Sequence, residues 1–218
     1  RERVTVVPLG VEHDVFVPPT KPRVKGRIVT TASADVPLKG LVPLLEALAK
    51  LRTERDVHLV VVGSLRKGGA TEETLDRLDL NDAVEFVSDV AEPELVEIFG
   101  SAQVAVVPSL YEGFSLPAVE LMSCATPLVA TNAGALPEVV GPDGEAVLRV
   151  EPGDPQELAV ALGRLLDDDE LAARIGAAGR ARVIENYTWS VVAARTADWY
   201  RQCLAKAADG TEEDHADR

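Results

Sequence analysis

The feature that most constrains this chain is a rhythm. From Arg27 onward, short, nearly unbroken apolar runs take turns with segments whose apolar residues recur at helical spacing. Val57–Val62, interrupted only by His58, and Val104–Val107 are runs of the first kind. Leu41–Leu51, with Leu44, Leu45, Leu48 and Leu51 along one stripe, is of the second. A strand apolar on both faces has to be buried on both, and strands separated by helices pair in parallel. Further strands are expected at Ile28–Ala32, Val84–Val87, Pro127–Ala130 and Ala146–Val150. Helices are expected around Glu72–Leu80, at Pro93–Phe99, from Ser115, and at Leu136–Val140. The pattern predicts an α/β fold: a single Rossmann-like, doubly wound parallel sheet of about six strands flanked by helices. Extra C-terminal helices follow at Pro155–Leu166, Asp169–Glu185 and Trp189–Ala207.

A chain of 218 residues can bury one substantial core. Residues 1–25 read as a connector, with a short strand at Val4–Val7 and then Pro18, Pro19 and Pro22. Residues 26–207 carry the strand–helix rhythm. Residues 208–218 are polar and acidic without apolar periodicity, and are expected to be disordered. The chain opens Arg1-Glu2-Arg3 without an initiator Met, and reads as a piece of a longer polypeptide.

The net charge of −14 argues against nucleic acid as a partner and against a polybasic membrane patch. No apolar run reaches membrane-spanning length. Cys124 and Cys203 lack ligand spacing and read as free thiols in a reducing, cytoplasmic setting.

In doubly wound sheets, ligands sit at the carboxyl ends of the strands. Four segments converge there, after Ala32, Val62, Pro108 and Ala130. The stretch from Pro108 to Glu120 (PSLYEGFSLPAVE) is the most informative. On one continuous helix, eight residues advance about 800°, so Glu112 and Glu120 would not share a face. A helix starting near Ser115, with Pro117 in its first turn, puts Glu112 in the loop and Glu120 one turn in, both facing one cleft. Ser115 suits the N-cap. Composition alone leaves both acids readable as ordinary solvated side chains. Lys39, before Gly40 and a helix, can add a cation to a positive helix terminus or be a solvated lysine near a cap. Gly63-Ser64 is a weak glycine signal, and Asn132 and Gly134 can shape a ligand loop or merely a turn. His13, His58 and His215 have neither metal spacing nor a nucleophile partner. Apart from Asp167-Asp168-Asp169, which reads as a solvated cap between helices, no Asp-x-Asp pair occurs, and no metal is expected.

The stretch around Glu112 and Glu120 resembles the Glu-x7-Glu motif of retaining glycosyltransferases of family 4, enzymes of two facing Rossmann-like domains (the GT-B fold). The likeness extends to Val6–Glu12 with Phe16 (interdomain segment), Lys39-Gly40 (phosphate-binding lysine), Thr131–Val140 (donor loop) and Tyr187-Thr188-Trp189 (entry to the final helix). These matches run in order over residues 4–205 and cover one half of such an enzyme, the C-terminal donor-binding half.

The resemblance implies a nucleoside-diphosphate sugar as substrate, with no cofactor. Lys39 would take the diphosphate, Glu112 the transferred sugar and Glu120 the ribose. Backbone groups at Gly40, Phe114, Ser115 and Leu116 would complete the site with Ser33, Gly63 and Gly134, while Phe86 and Val87 resemble the segment flanking the nucleobase. It further implies a hexosyl transfer, with an acceptor held by an N-terminal domain outside this chain. That domain would also supply any peripheral contact with the inner membrane face, and the isolated chain would be inactive. Ala34 stands where many members carry a second diphosphate-clamping arginine, and no Arg occurs between Arg27 and Arg52. Either the clamp is weakened, or Ser33 with backbone donors, Arg66 or Lys67 takes its place. A nucleotide-sugar epimerase or phosphorylase of the same fold, or a binding module that has lost catalysis, remain alternatives. The aromatics Trp189, Trp199 and Tyr200 suit either packing on this domain or a helix crossing to the other.

Overall fold

A computed structural model describes residues 4–32 and 36–216, with side chains to Ala205. Six strands form one parallel sheet: β1 (Val24–Thr31), β2 (His58–Val62), β3 (Val84–Val87), β4 (Ala102–Val107), β5 (Leu128–Thr131) and β6 (Leu148–Val150). Their order across the sheet is β3-β2-β1-β4-β5-β6. Successive strands run outward from β1 in one direction and then, starting again at β4, in the other. This is the doubly wound arrangement that the rhythm predicts.

Strand alternation builds two cores. Ile28, Leu59, Val61, Val104, Val106 and Val129 face one side, where α1 (Leu41–Leu51), α2 (Ala70–Leu78) and α6 (Pro155–Asp167) cover them. Val29, Val60, Ala105, Val107, Leu128 and Ala130 face the other, under α3 (Glu92–Ser101), α4 (Leu116–Ser123) and α5 (Leu136–Val140). The long helix α7 (Asp169–Asn186) serves both, with Ile175 in the first core and Val183 in the second. Asp154 caps α6 through the amides of Gln156 and Glu157, and Asp168 caps α7 through that of Leu171. The acidic run is thus a cap, as expected, although Asp167 also pairs with Arg55 at 2.7 Å.

Two expectations about elements need correction. Val4–Val7 forms no strand, and Val4 and Val6 are strongly exposed. An apolar run becomes a strand only when a sheet edge accepts its backbone; here the connector meets the fold through Val11, whose amide donates to Tyr187 O at 2.8 Å. At the other end, α8 spans Trp189–Ala216 and runs past Ala207 into the acidic segment. Extending an existing helix costs far less than starting one. Trp189 lies over Gly10, leaving no room there for a Cβ, while Tyr200 is exposed. Cys124 is buried, Cys203 exposed, and both are free.

Candidate functional site

β1 and β4 lie side by side, but the chain leaves them for opposite faces, β1 toward α1 and β4 toward α4. A crevice opens at such a switch point. The segments after these two strands border it, and they touch. Leu110 N donates to Leu38 O at 2.7 Å. Gly40 takes a left-handed conformation (φ 67°), and a Cβ there would lie 1.9 Å from Pro108 O. Only glycine permits this approach.

The contact brings Lys39 and Glu112 together. Lys39 Nζ donates to Glu112 Oε1 at 2.7 Å, and Ser109 Oγ donates to the same oxygen at 2.8 Å. The Glu112 side chain is 11% exposed and that of Lys39 32%. The β5–α5 loop grips Glu112 from behind: Ala135 N donates to Glu112 O at 2.9 Å. Gly134 (φ 57°) sits so close that a Cβ would lie 2.1 Å from that oxygen. Lys39, Glu112 and Gly134, singled out in the sequence at three separate places, form one assembly.

Beside the pair is a cavity of about 560 Å³ at the carboxyl ends of β1, β2 and β3, a size suited to a small molecule. Thr31, Lys39, Gly63, Val87, Asp89 and Pro117 contribute to its wall. Val87 and Gly63 stand where a ligand could reach them. Phe86 instead packs its ring against the first core, as strand alternation requires of the residue before Val87. Ser33 lies outside the described residues. Arg66 and Lys67 are exposed on the segment after β2 and do not line the cavity.

At the start of α4, Pro117 stands in the first turn as the spacing predicts. Ser115 holds the N-cap position but does not cap. Its backbone is left-handed (φ 76°, ψ 77°), its side chain bonds none of the helix amides, and its buried Oγ has no partner. Capping geometry needs an extended residue, so the amides of Leu116 and Ala118 gain no cap from Ser115 and add to the positive end of the helix. The Phe114 ring meets Tyr187 edge-on at 5.8 Å. Leu116 is partly exposed. Glu120, one turn into α4, is half-buried, and burial, with Glu92 adding a smaller repulsion, pushes its carboxyl up to about 7. No cation among the described residues pairs with it, and it does not join the Lys39–Glu112 pair.

Sequence reasoning gave no role to Ser109, which is 2% exposed. Its place three residues before Glu112, at a strand's carboxyl end, was the available signal. Among the described residues no group of three His, Cys, Asp or Glu side chains is placed to hold a metal ion, and no helix is long and apolar enough to cross a membrane. An ammonium beside a helix N-terminus, with uncapped amides nearby, suits a doubly charged anion. The Glu112 carboxylate beside them suits hydroxyl donors.

Residues 15–182 match the family Glycosyl transferases group 1. The chain is 50% identical over 207 residues to MMP alpha-(1->4)-mannosyltransferase of Mycolicibacterium hassiacum, covering 95% of this chain and 50% of the relative. It is 36% identical over 201 residues to D-inositol 3-phosphate glycosyltransferase of Streptomyces griseus, covering 90% and 41% respectively. Among solved structures, sucrose-phosphate synthase from Thermosynechococcus elongatus superposes with a TM-score of 0.79 at 30% identity, over 92% of this chain and 52% of that one. The C-terminal domain of a group 1 glycosyl transferase family protein from Francisella tularensis superposes at 0.72 with 26% identity, over 83% of this chain and all of that domain. The chain spans about half the length of the curated relatives it matches.

Proposed function

Because the chain belongs to the glycosyl transferases of group 1, we propose that it is the donor-binding half of a retaining hexosyltransferase acting on a nucleoside-diphosphate sugar. The observation that carries this reading is the Lys39–Glu112 pair, closed at 2.7 Å over the switch-point crevice and beside a cavity of ligand size. Lys39 and the α4 amides take the diphosphate, Glu112 a hydroxyl of the transferred sugar, and Glu120 the ribose hydroxyls. Val87 and Gly63 flank the nucleoside. When the glycosyl–phosphate bond breaks, negative charge grows on the leaving diphosphate. Donors already fixed there stabilise it without reorganising. The reading gives no part to a metal ion. The acceptor belongs to a facing domain, as the half-length match to the relatives supports.

Titration calorimetry of this chain with UDP-glucose, GDP-mannose and ADP-glucose tests the reading. At least one is expected to bind, and Lys39→Ala is expected to weaken it by roughly tenfold or more, the worth of one charge-assisted bond. No binding of any of them at millimolar concentration would remove the reading. The specific observation behind a second reading is Ala34, where a second clamping cation is missing. A module that has lost catalysis would bind donor here, while the polypeptide carrying both halves would show no transfer.

A further inference from the structure

We infer that Ser109 is a positioning residue. It keeps the Glu112 carboxylate aimed into the site when Lys39 turns to an anion, and so sets how strongly the sugar part of a nucleotide sugar is held. The inference rests on the reading proposed above for the same site.

Among the described residues, both hydrogen bonds to the Glu112 carboxylate fall on one oxygen, Oε1, one from Lys39 and one from Ser109. That arrangement leaves Oε2 to accept from a ligand. The two anchors differ in permanence. Lys39 carries a mobile ammonium on a flexible stem, and a doubly charged phosphate group beside it competes directly with Glu112. Ser109 has a single O–H donor, and Glu112 has it. The Ser109 side chain is buried, and its peptide is pinned from the neighbouring strand: the fully buried Thr131 Oγ1 donates to Ser109 O at 2.5 Å. The Glu112 backbone is fixed independently by Ala135 N. Once Lys39 engages an anion, the Ser109 hydroxyl is the remaining hold on the carboxylate among the described residues. A carboxylate ordered before the ligand arrives binds a hydroxyl more tightly than one that must be ordered by it.

The test compares UDP, GDP and ADP with UDP-glucose, GDP-mannose and ADP-glucose by calorimetric titration of this chain. The quantity read is the gain in affinity of each sugar ester over its bare diphosphate. The wild type is expected to show a gain for at least one pair. Ser109→Ala is expected to reduce that gain by roughly tenfold, leaving affinity for the bare diphosphate within about twofold. Ser109→Thr, which keeps the hydroxyl, is expected to restore the gain. Should alanine unfold the chain, Ser109→Cys keeps the volume with a weak donor and is expected to show the same loss. A gain untouched by both the alanine and cysteine variants overturns the inference, as does a wild type with no gain for any sugar. Equal loss for diphosphate and sugar ester also overturns it, since that marks a merely structural role. A wild type that binds neither form overturns the proposed function itself, and the two failures are thereby told apart.

Discussion

Glu120 titrates where carboxylates seldom do. Burial is the larger cause and Glu92 the smaller, and together they push it from an ordinary 4.5 up to about 7. An acid whose folded value lies above its unfolded one costs stability as pH rises past the unfolded value, because the unfolded chain then gives up a proton that the folded one keeps. The contribution is therefore fully present below about pH 4.5 and is lost as pH rises through about 7. Thermal melts at pH 5 and pH 8 should show a larger fall in Tm for the wild type than for Glu120→Gln. Ribose hydroxyls would favour the ionised form, so nucleotide affinity should rise over the same window and stay flat in the variant. Two other residues show what spacing can and cannot convey. The separation of Glu112 and Glu120 between loop and helix followed from Pro117 alone. The left-handed backbone of Ser115 did not, because serine at a helix start ordinarily signals a cap.

At the scale of elements, the site depends on how closely the β1–α1 segment approaches the β4–α4 loop. Gly40→Ala places a Cβ 1.9 Å from Pro108 O in a left-handed backbone. Strain and displacement together should cost about 2–4 kcal/mol, read by urea unfolding. Gly113, one residue past Glu112, has open space where its Cβ would be. Gly113→Ala should therefore stay within about 0.5 kcal/mol, and the contrast separates the two loops' contact from a general intolerance of alanine. The helices and strands themselves were legible because each carries its own period. Their ends were less so: α3 starts at Glu92 and β1 at Val24, earlier than the apolar runs suggest. Val4–Val7 failed as a strand because the run is apolar but has no sheet edge to join.

Across the whole molecule, one arginine ties distant parts together. Arg23, just before β1, donates to Gly100 O at 2.6 Å, Ala102 O at 3.0 Å and Thr126 Oγ1 at 3.0 Å. It also reaches Cys124 O at 3.1 Å and Ala125 O at 2.7 Å. These groups lie at the carboxyl ends of α3 and α4 and just beyond them, where backbone carbonyls lack helical partners. Burial lowers the pKa of the guanidinium, and its bonds repay that desolvation. Arg23→Leu would strand several carbonyls at once and should cost at least about 3 kcal/mol in urea unfolding. Arg23→Lys should recover little, because a point charge cannot span acceptors arranged for a planar fork. Nothing in the connector marks this residue, whose partners stand 77 to 103 positions away.

The kind and order of the elements, the parallel sheet with helices on both faces and the strand ends where a ligand could sit were all determined by the sequence itself. Apolar periodicity is a local property: each segment's pattern states how many of its faces must be buried, whatever surrounds it. Only the tertiary structure decided that Lys39 shares an oxygen of Glu112, 73 residues away, with Ser109, and that Glu120 is buried enough to hold its proton near neutral pH. Those facts follow from β1 lying next to β4, and strand order is set by the packing of the entire core, which no single stretch of chain encodes.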